Sequence, residues 1–268
     1  MTPAQELAAD LAAQAFLASL PGLAFAFVLV IGRVGSALML LPGLGESDLP
    51  MMLRAGLALC ISLLLLPAIA PLVGAAPDDG MAMAGMVLAE VTTGLWLGWL
   101  TRMVVLALPI AGQMISFMLG LSNVLQPDAE LGAQATALGR MLSLAAPLVV
   151  LVSGLYAPAL AALSGSYRLI APGALLPAGD LAQTALGAAA QGFALALRLA
   201  APFVAASVIW QMSVGIIARL VPRLQVYFVA MPAQILGGLA MFAALVSMLL
   251  TSWQGMVGDV YAGLPGLG

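Results

Sequence analysis

A chain of 268 residues that is 63% hydrophobic and 7% charged, with a mean hydropathy of +1.15, lacks the balance of a soluble domain and reads as a polytopic membrane protein of about five to seven helices. Long strands with alternating polarity are absent, which excludes a transmembrane β-barrel. The net charge is −3, all eight basic residues are Arg, histidine is missing and Cys60 is the single cysteine; serine–histidine catalysis, an internal disulfide and a histidine or multi-cysteine metal site are therefore excluded.

The amino-terminal segment MTPAQELAADLAAQ has Glu6 and Asp10 but no Arg, so no cleaved signal peptide is expected. Residues 15–41 form the first apolar stretch, interrupted by Arg33, and the loop PGLGESDLP follows. A second helix is expected from about Met51 to Leu66, with Arg54 near its start and Pro67 and Pro71 at its end. A loop with Pro77, Asp78 and Asp79 leads to a third helix, from about Met81 to Leu108.

That third helix places Glu90, Gly94, Gly98 and Arg102 at successive four-residue steps. Gly94 and Gly98 make a notch where another backbone can approach. Glu90 and Arg102 lie roughly 18 Å apart along such a helix and cannot pair with each other. An intramembrane carboxylate is a functional candidate; the structural reading is that Glu90 braces a neighbouring helix, with Glu90→Gln tolerated and Glu90→Leu not.

The next segment, PIAGQMISFMLGLSNVLQP (109–127), is too polar for a simple span and too apolar for a free loop. Met114, Phe117, Met118 and Leu121 fall on one helix face. Gln113, Ser116, Ser122 and Asn123 interrupt it, and Gly112 and Gly120 loosen the backbone. Irregular backbone at membrane depth survives only inside protein or along water; the alternative is an amphipathic connector on the membrane surface. Residues 110–125 are thus a candidate plug: Gly112 and Gly120 hinge it, and Met114, Phe117, Met118 and Leu121 form a deformable apolar seal.

A fourth helix is expected from about Thr136 to Leu163, then the longest loop, 164–182. From Gln191 to Arg219 a helix would rise roughly 43 Å, against a hydrocarbon core of about 30 Å. It must tilt, bend at Pro202 or project. Gly192, Ala196 and Ala200 give it a small-residue seam for packing against protein. Arg198 is its intramembrane charge. A connector with Arg219, Pro222 and Arg223 forms a basic tip, and a last helix runs from Val226 to about Trp253. The remaining tail is expected to fray. Under a six-helix count, the Arg distribution puts this tip in the cytoplasm and both termini outside.

Four pieces in order resemble one family, the flagellar export-gate protein FliR and its virulence type III secretion counterparts of the SctT kind. They are RVGSALMLLPGLGESDLPMMLRAGLAL, AEVTTGLWLGW, AGQMISFMLGLSNVLQPD and IIARLVPRLQVYFVAMP. The chain departs from the family pattern at Met118 and Leu119, where Gln is frequent, and at Gln211 and Arg223. The resemblance implies an all-α polytopic bundle of about six long helices with a final hairpin, built to pack in a larger helical assembly. It implies a single export-gate membrane domain, with FliP-like helices over 1–185 and a FliQ-like hairpin over 186–258. The implied partners are FliP- and FliQ-like subunits, a FlhB-like protein at the cytoplasmic side, the lipid membrane and unfolded flagellar proteins as cargo. The implied location is the bacterial inner membrane, at the flagellar basal body.

No nucleic-acid partner and no cofactor is expected. A secondary transporter is the main rival. It calls for ionisable residues in symmetry-related halves, and Glu90 and Arg198 are the candidates, without a convincing repeat. An intramembrane aspartyl protease would need two Asp at membrane depth, and none are evident.

Overall fold

The computed structural model describes residues 3–121, 136–175, 178–220 and 226–267. Every regular element among them is helical: α1 (Pro3–Leu40), α2 (Met51–Ile69) ending in a 3-10 turn (Ala70–Leu72), α3 (Gly80–Val105), α4 (Ala107–Met118), α5 (Ala137–Val152), α6 (Tyr156–Leu169), α7 (Ala178–Leu220) and α8 (Val226–Ala262). Five spans are long and apolar enough to cross a membrane, and α5 with α6 makes a sixth if the broken pair is one span. The fold is an all-α polytopic membrane bundle.

Several boundaries differ from expectation, each for a local reason. The third helix stops at Val105 rather than Leu108, because the Pro109 ring crowds the carbonyl four residues back and supplies no N–H to it. The chain turns at Leu106 and resumes as α4. The fourth helix is broken at 153–155, where Gly154 takes φ 76°, a left-handed conformation that closes a helix. The expected long loop shrinks, since α6 continues to Leu169 and α7 begins at Ala178. The carboxy-terminal tail is docked rather than frayed: Leu264 is buried, and the backbone of Gly266 lies against Ala162, Gly165 and Ser166 of α6.

The chain divides into two compact units, and both take residues from either side of position 185. Unit 1 comprises Met1–Trp99, Ala159–Ala182 and Leu264–Gly268. Its core is built on Leu29, Val30, Val34 and Ala37 of α1, which recur at helical spacing and are fully buried, as a core-facing stripe requires. They meet Ala89, Thr93 and Leu97 of α3 and Ala159, Ala162 and Leu163 of α6, all buried. Unit 2 comprises Leu100–Pro158 and Gln183–Gly263. Its core gathers Leu108, Ala111 and Ile115 of α4, Leu142 and Ala146 of α5, Ala196, Ala200 and Phe203 of α7, and Phe242, Trp253 and Val257 of α8.

Candidate functional site

Within unit 1 the apolar core encloses one ion pair. Arg33 on α1 and Glu90 on α3 are both 0% exposed. The Arg33 Nε donates to Glu90 Oε2 at 2.7 Å and its Nη2 donates to Oε1 at 2.9 Å, a two-pronged contact. The remaining guanidinium donors reach the Ser166 hydroxyl and the Ile170 carbonyl, each at 3.2 Å. The Tyr167 ring stacks under the guanidinium, its centroid 4.0 Å from Cζ. Glu90 Oε1 also accepts from the Gly173 N–H at 2.7 Å.

This arrangement exists because two glycines let α3 approach α1. A Cβ at Gly94 would collide with the Arg33 carbonyl and the Ser36 hydroxyl, and one at Gly98 would lie 2.6 Å from the Ala37 carbonyl oxygen. Close backbones bring the Arg33 fork within reach of a carboxylate on the facing helix. Chemically the centre is closed: both carboxylate oxygens and all three guanidinium nitrogens are engaged, and the Ser166 hydroxyl is taken up as an acceptor for Arg33. It locks α1, α3, α6 and the chain at 170–173. Among the described residues no three His, Cys, Asp or Glu side chains gather at metal-binding distance.

Arg33 is the residue that sequence reasoning passed over. In the sequence it stands as an interruption of an apolar run, with nothing beside it to mark it as the partner of Glu90. The usable signal was one positive and one negative charge, each in the middle of an apolar helix, which burial forces to meet.

Unit 2 holds the plug candidate. α4 packs on α5 through Gly112, where a Cβ would lie 3.1 Å from Gly139 Cα and 2.9 Å from a Leu142 methyl. Thr136 caps α5 by accepting from the Gly139 N–H at 3.2 Å. The buried face of α4 is Ala107, Leu108, Ala111, Gly112, Ile115 and Ser116; the Ser116 hydroxyl finds no hydrogen-bond partner among the described residues. Met114 and Met118 are half-buried, Phe117 is exposed and Leu121 is buried. Four residues assigned to one apolar face therefore divide between interior and surface, because Ala111 and Ile115 take the core side.

The end of α4 is held from α7 and α8. Gln234 Nε2 donates to the Met118 carbonyl at 3.0 Å. The Ser207 hydroxyl lies 3.5 Å from the Met118 sulfur, and Gln211 donates to Ser207 at 3.5 Å. Leu119 packs on Gly238. Gly120 then takes φ 75°, which a residue with a Cβ adopts only at a cost. A cavity of about 140 Å³ remains beside this joint, between Met118, Trp210, Gln234 and Met241. Ser122 and Asn123 lie outside the described residues.

The other sequence candidates fall as follows. Gly192 meets the backbone of α3, where a Cβ would lie 2.6 Å from the Met103 carbonyl oxygen, and Ala196 and Ala200 are fully buried. This seam is filled within the chain. Arg198 is exposed on α7 beside a second, apolar cavity. Arg219 is exposed at the end of α7, and Pro222 and Arg223 lie outside the described residues.

Comparison with known proteins bears on this geometry. The bacterial export proteins, family 1, match the chain over residues 24–260. The flagellar biosynthetic protein FliR of Caulobacter vibrioides is 31% identical over 225 residues, covering 84% of this chain and 90% of that protein. The flagellar biosynthetic protein FliR of Bacillus subtilis is 27% identical over 227 residues, covering 84% and 87%.

Proposed function

The chain belongs to the bacterial export proteins of family 1, the FliR family, and from that membership we propose that it joins FliP- and FliQ-like subunits in a portal that passes unfolded flagellar proteins across the inner membrane. It is a multi-pass inner-membrane subunit of the flagellar export apparatus. In the proposed portal it acts as a structural part of a conduit, with no chemistry of its own. Residues 110–125 plug the path when no cargo is present, and the tip at Arg219, Pro222 and Arg223 faces a FlhB-like protein. The virulence type III counterpart remains the second reading of the family pattern; the flagellar names of both relatives favour the first.

The observation that carries the assembly reading is the exposed apolar length of α7. Leu186 and Leu220 are 72% and 74% exposed, and along a helix they stand roughly 51 Å apart. Even a 40° tilt leaves about 39 Å of that rise along the membrane normal, against about 30 Å of hydrocarbon. A straight α7 therefore carries at least one apolar end past the lipid tails, where a neighbouring protein would cover it. In support of the plug, α4 presents soft side chains, Met114, Phe117 and Met118, on its less buried side. It ends at a glycine in the left-handed region.

Expressing the chain alone and together with FliP- and FliQ-like subunits, followed by native mass spectrometry, tests this. The lone chain should aggregate or be degraded, and the co-expressed chain should appear in a defined complex. A stable, monodisperse monomer would overturn it.

A further inference from the structure

Arg198 meets no countercharge among the described residues. No carboxylate or carbonyl among them pairs with it, and it stands exposed on α7, in a long apolar helix. Beside it lies a cavity of about 410 Å³ between α7 and α8, walled by Leu199, Phe203, Leu245, Met248 and Leu249, with Ser252 the only hydroxyl in the lining. Phe203 and Phe242 meet in a tilted contact, 6.2 Å between their centroids and 46° between their planes, that joins the two helices.

From Arg198 the next charge along α7 is Arg219, and Leu199 to Ala218 carry none. Helical rise puts the two Arg roughly 32 Å apart, one hydrocarbon thickness of about 30 Å. If one guanidinium sits at one headgroup layer, the other reaches the opposite layer. Arg at such a position turns toward phosphate, which its planar fork binds through two hydrogen bonds.

The volume selects the occupant. A helix about 10 Å across would fill 410 Å³ within roughly a single turn, so the cavity holds no more than one turn of a helix. It is apolar, open and beside a cation, an environment that suits one acyl chain under a phosphate. We propose that Arg198 and this cavity form a phospholipid site, with the phosphate on the guanidinium and one acyl chain between α7 and α8. Ser252 stands in the same lining and can donate to the phosphate or glycerol oxygens.

The test uses the chain extracted from membranes in detergent with the subunits that accompany it. Native mass spectrometry of this sample should show phospholipid retained at energies that strip detergent. After delipidation, added phosphatidylglycerol should restore the adduct, and inorganic phosphate should not. Arg198→Gln should lower retention about tenfold, the scale of one lost charge-assisted contact, and Arg198→Lys should lower it less. Met248→Trp, which fills the cavity and keeps the charge, should also lose the lipid while the complex still assembles. Unchanged retention in Arg198→Gln overturns the proposal. So does an Arg198→Gln complex that fails to assemble while Met248→Trp keeps its lipid, which would mark a carboxylate of another subunit as the true partner. Restoration by inorganic phosphate alone would reduce the site to an anion site and overturn the acyl-chain assignment.

Discussion

At the scale of the residue, the Arg33–Glu90 pair changes what substitution is expected to do. Read alone, Glu90 looks replaceable by Gln, which keeps the shape and the hydrogen bonds. Facing Arg33 at 2.7 Å with no exposure on either side, it is the countercharge of a buried cation. Glu90→Gln leaves that cation without a countercharge, keeping one amide oxygen as acceptor beside the Tyr167 ring, Ser166 and the Ile170 carbonyl, and sets an NH2 donor against the guanidinium. Breaking a buried pair from one side costs about 3–5 kcal/mol, whereas replacing both partners with apolar groups is often nearly neutral. Glu90→Gln should therefore lower the thermal stability of the detergent-purified complex sharply, and Arg33→Met with Glu90→Leu should recover most of it. Thermal unfolding followed by residual complex on size exclusion checks both. Wild-type stability in Glu90→Gln would argue that the pair does not hold α1 to α3.

At the scale of the element, α4 is attached unevenly. One face is buried on α5, and its end is fixed by the Gln234 hydrogen bond to the Met118 carbonyl, by a weak contact of the Ser207 hydroxyl with the Met118 sulfur and by Leu119 seated on Gly238. One net hydrogen bond contributes about 0.5–1.5 kcal/mol, enough to bias a short helix end and too little to set the stability of the molecule. Gln234→Ala should speed amide exchange of residues 115–120 several-fold while leaving α1 and α3 protected. If α4 closes the export path, the same variant should raise the small-ion conductance of expressing cells. Unaltered exchange at 115–120 would mean that the Gln234 bond contributes nothing to holding α4. Deleting residues 112–120 is the severe form of the experiment: an assembled complex with unchanged conductance would show that the plug lies elsewhere.

At the scale of the whole molecule, α2 and α8 are the elements least covered by their own chain, with 17% of the most apolar window of each buried. Their exposed Leu, Met and Phe side chains are ordinary against lipid and costly against water. Orientation across the membrane is carried by the Arg positions, and the positive-inside rule assigns the α7–α8 tip to the cytoplasm. A cysteine at 219, in a Cys60→Ser background because Cys60 is itself exposed, should react with an impermeant thiol reagent only after cells are opened. Labelling in intact spheroplasts would invert the assignment.

Composition and hydropathy by themselves determined that this chain is a helical membrane protein. Backbone groups at membrane depth are satisfied only in helices or closed barrels, and continuous runs of Leu, Ala and Val without long polar–apolar alternation leave the helical class. The order of short motifs around Arg33, Glu90, Gly120 and Arg219 determined the family, since each combines a charge or a glycine with apolar neighbours at fixed spacing. Helix breaks were legible only in part: Pro109 announced one, while Gly154 resembled any glycine in a span until its left-handed φ appeared. The tertiary structure alone decided which charges meet. Arg33 and Glu90 are 57 positions apart and join because α1 and α3 touch at Gly94 and Gly98, whereas Arg198, no less intramembrane in sequence, finds no countercharge among the described residues. Sequence records that a charge is buried in an apolar run; only the packing of helices distant along the chain settles whether its countercharge is in the same chain.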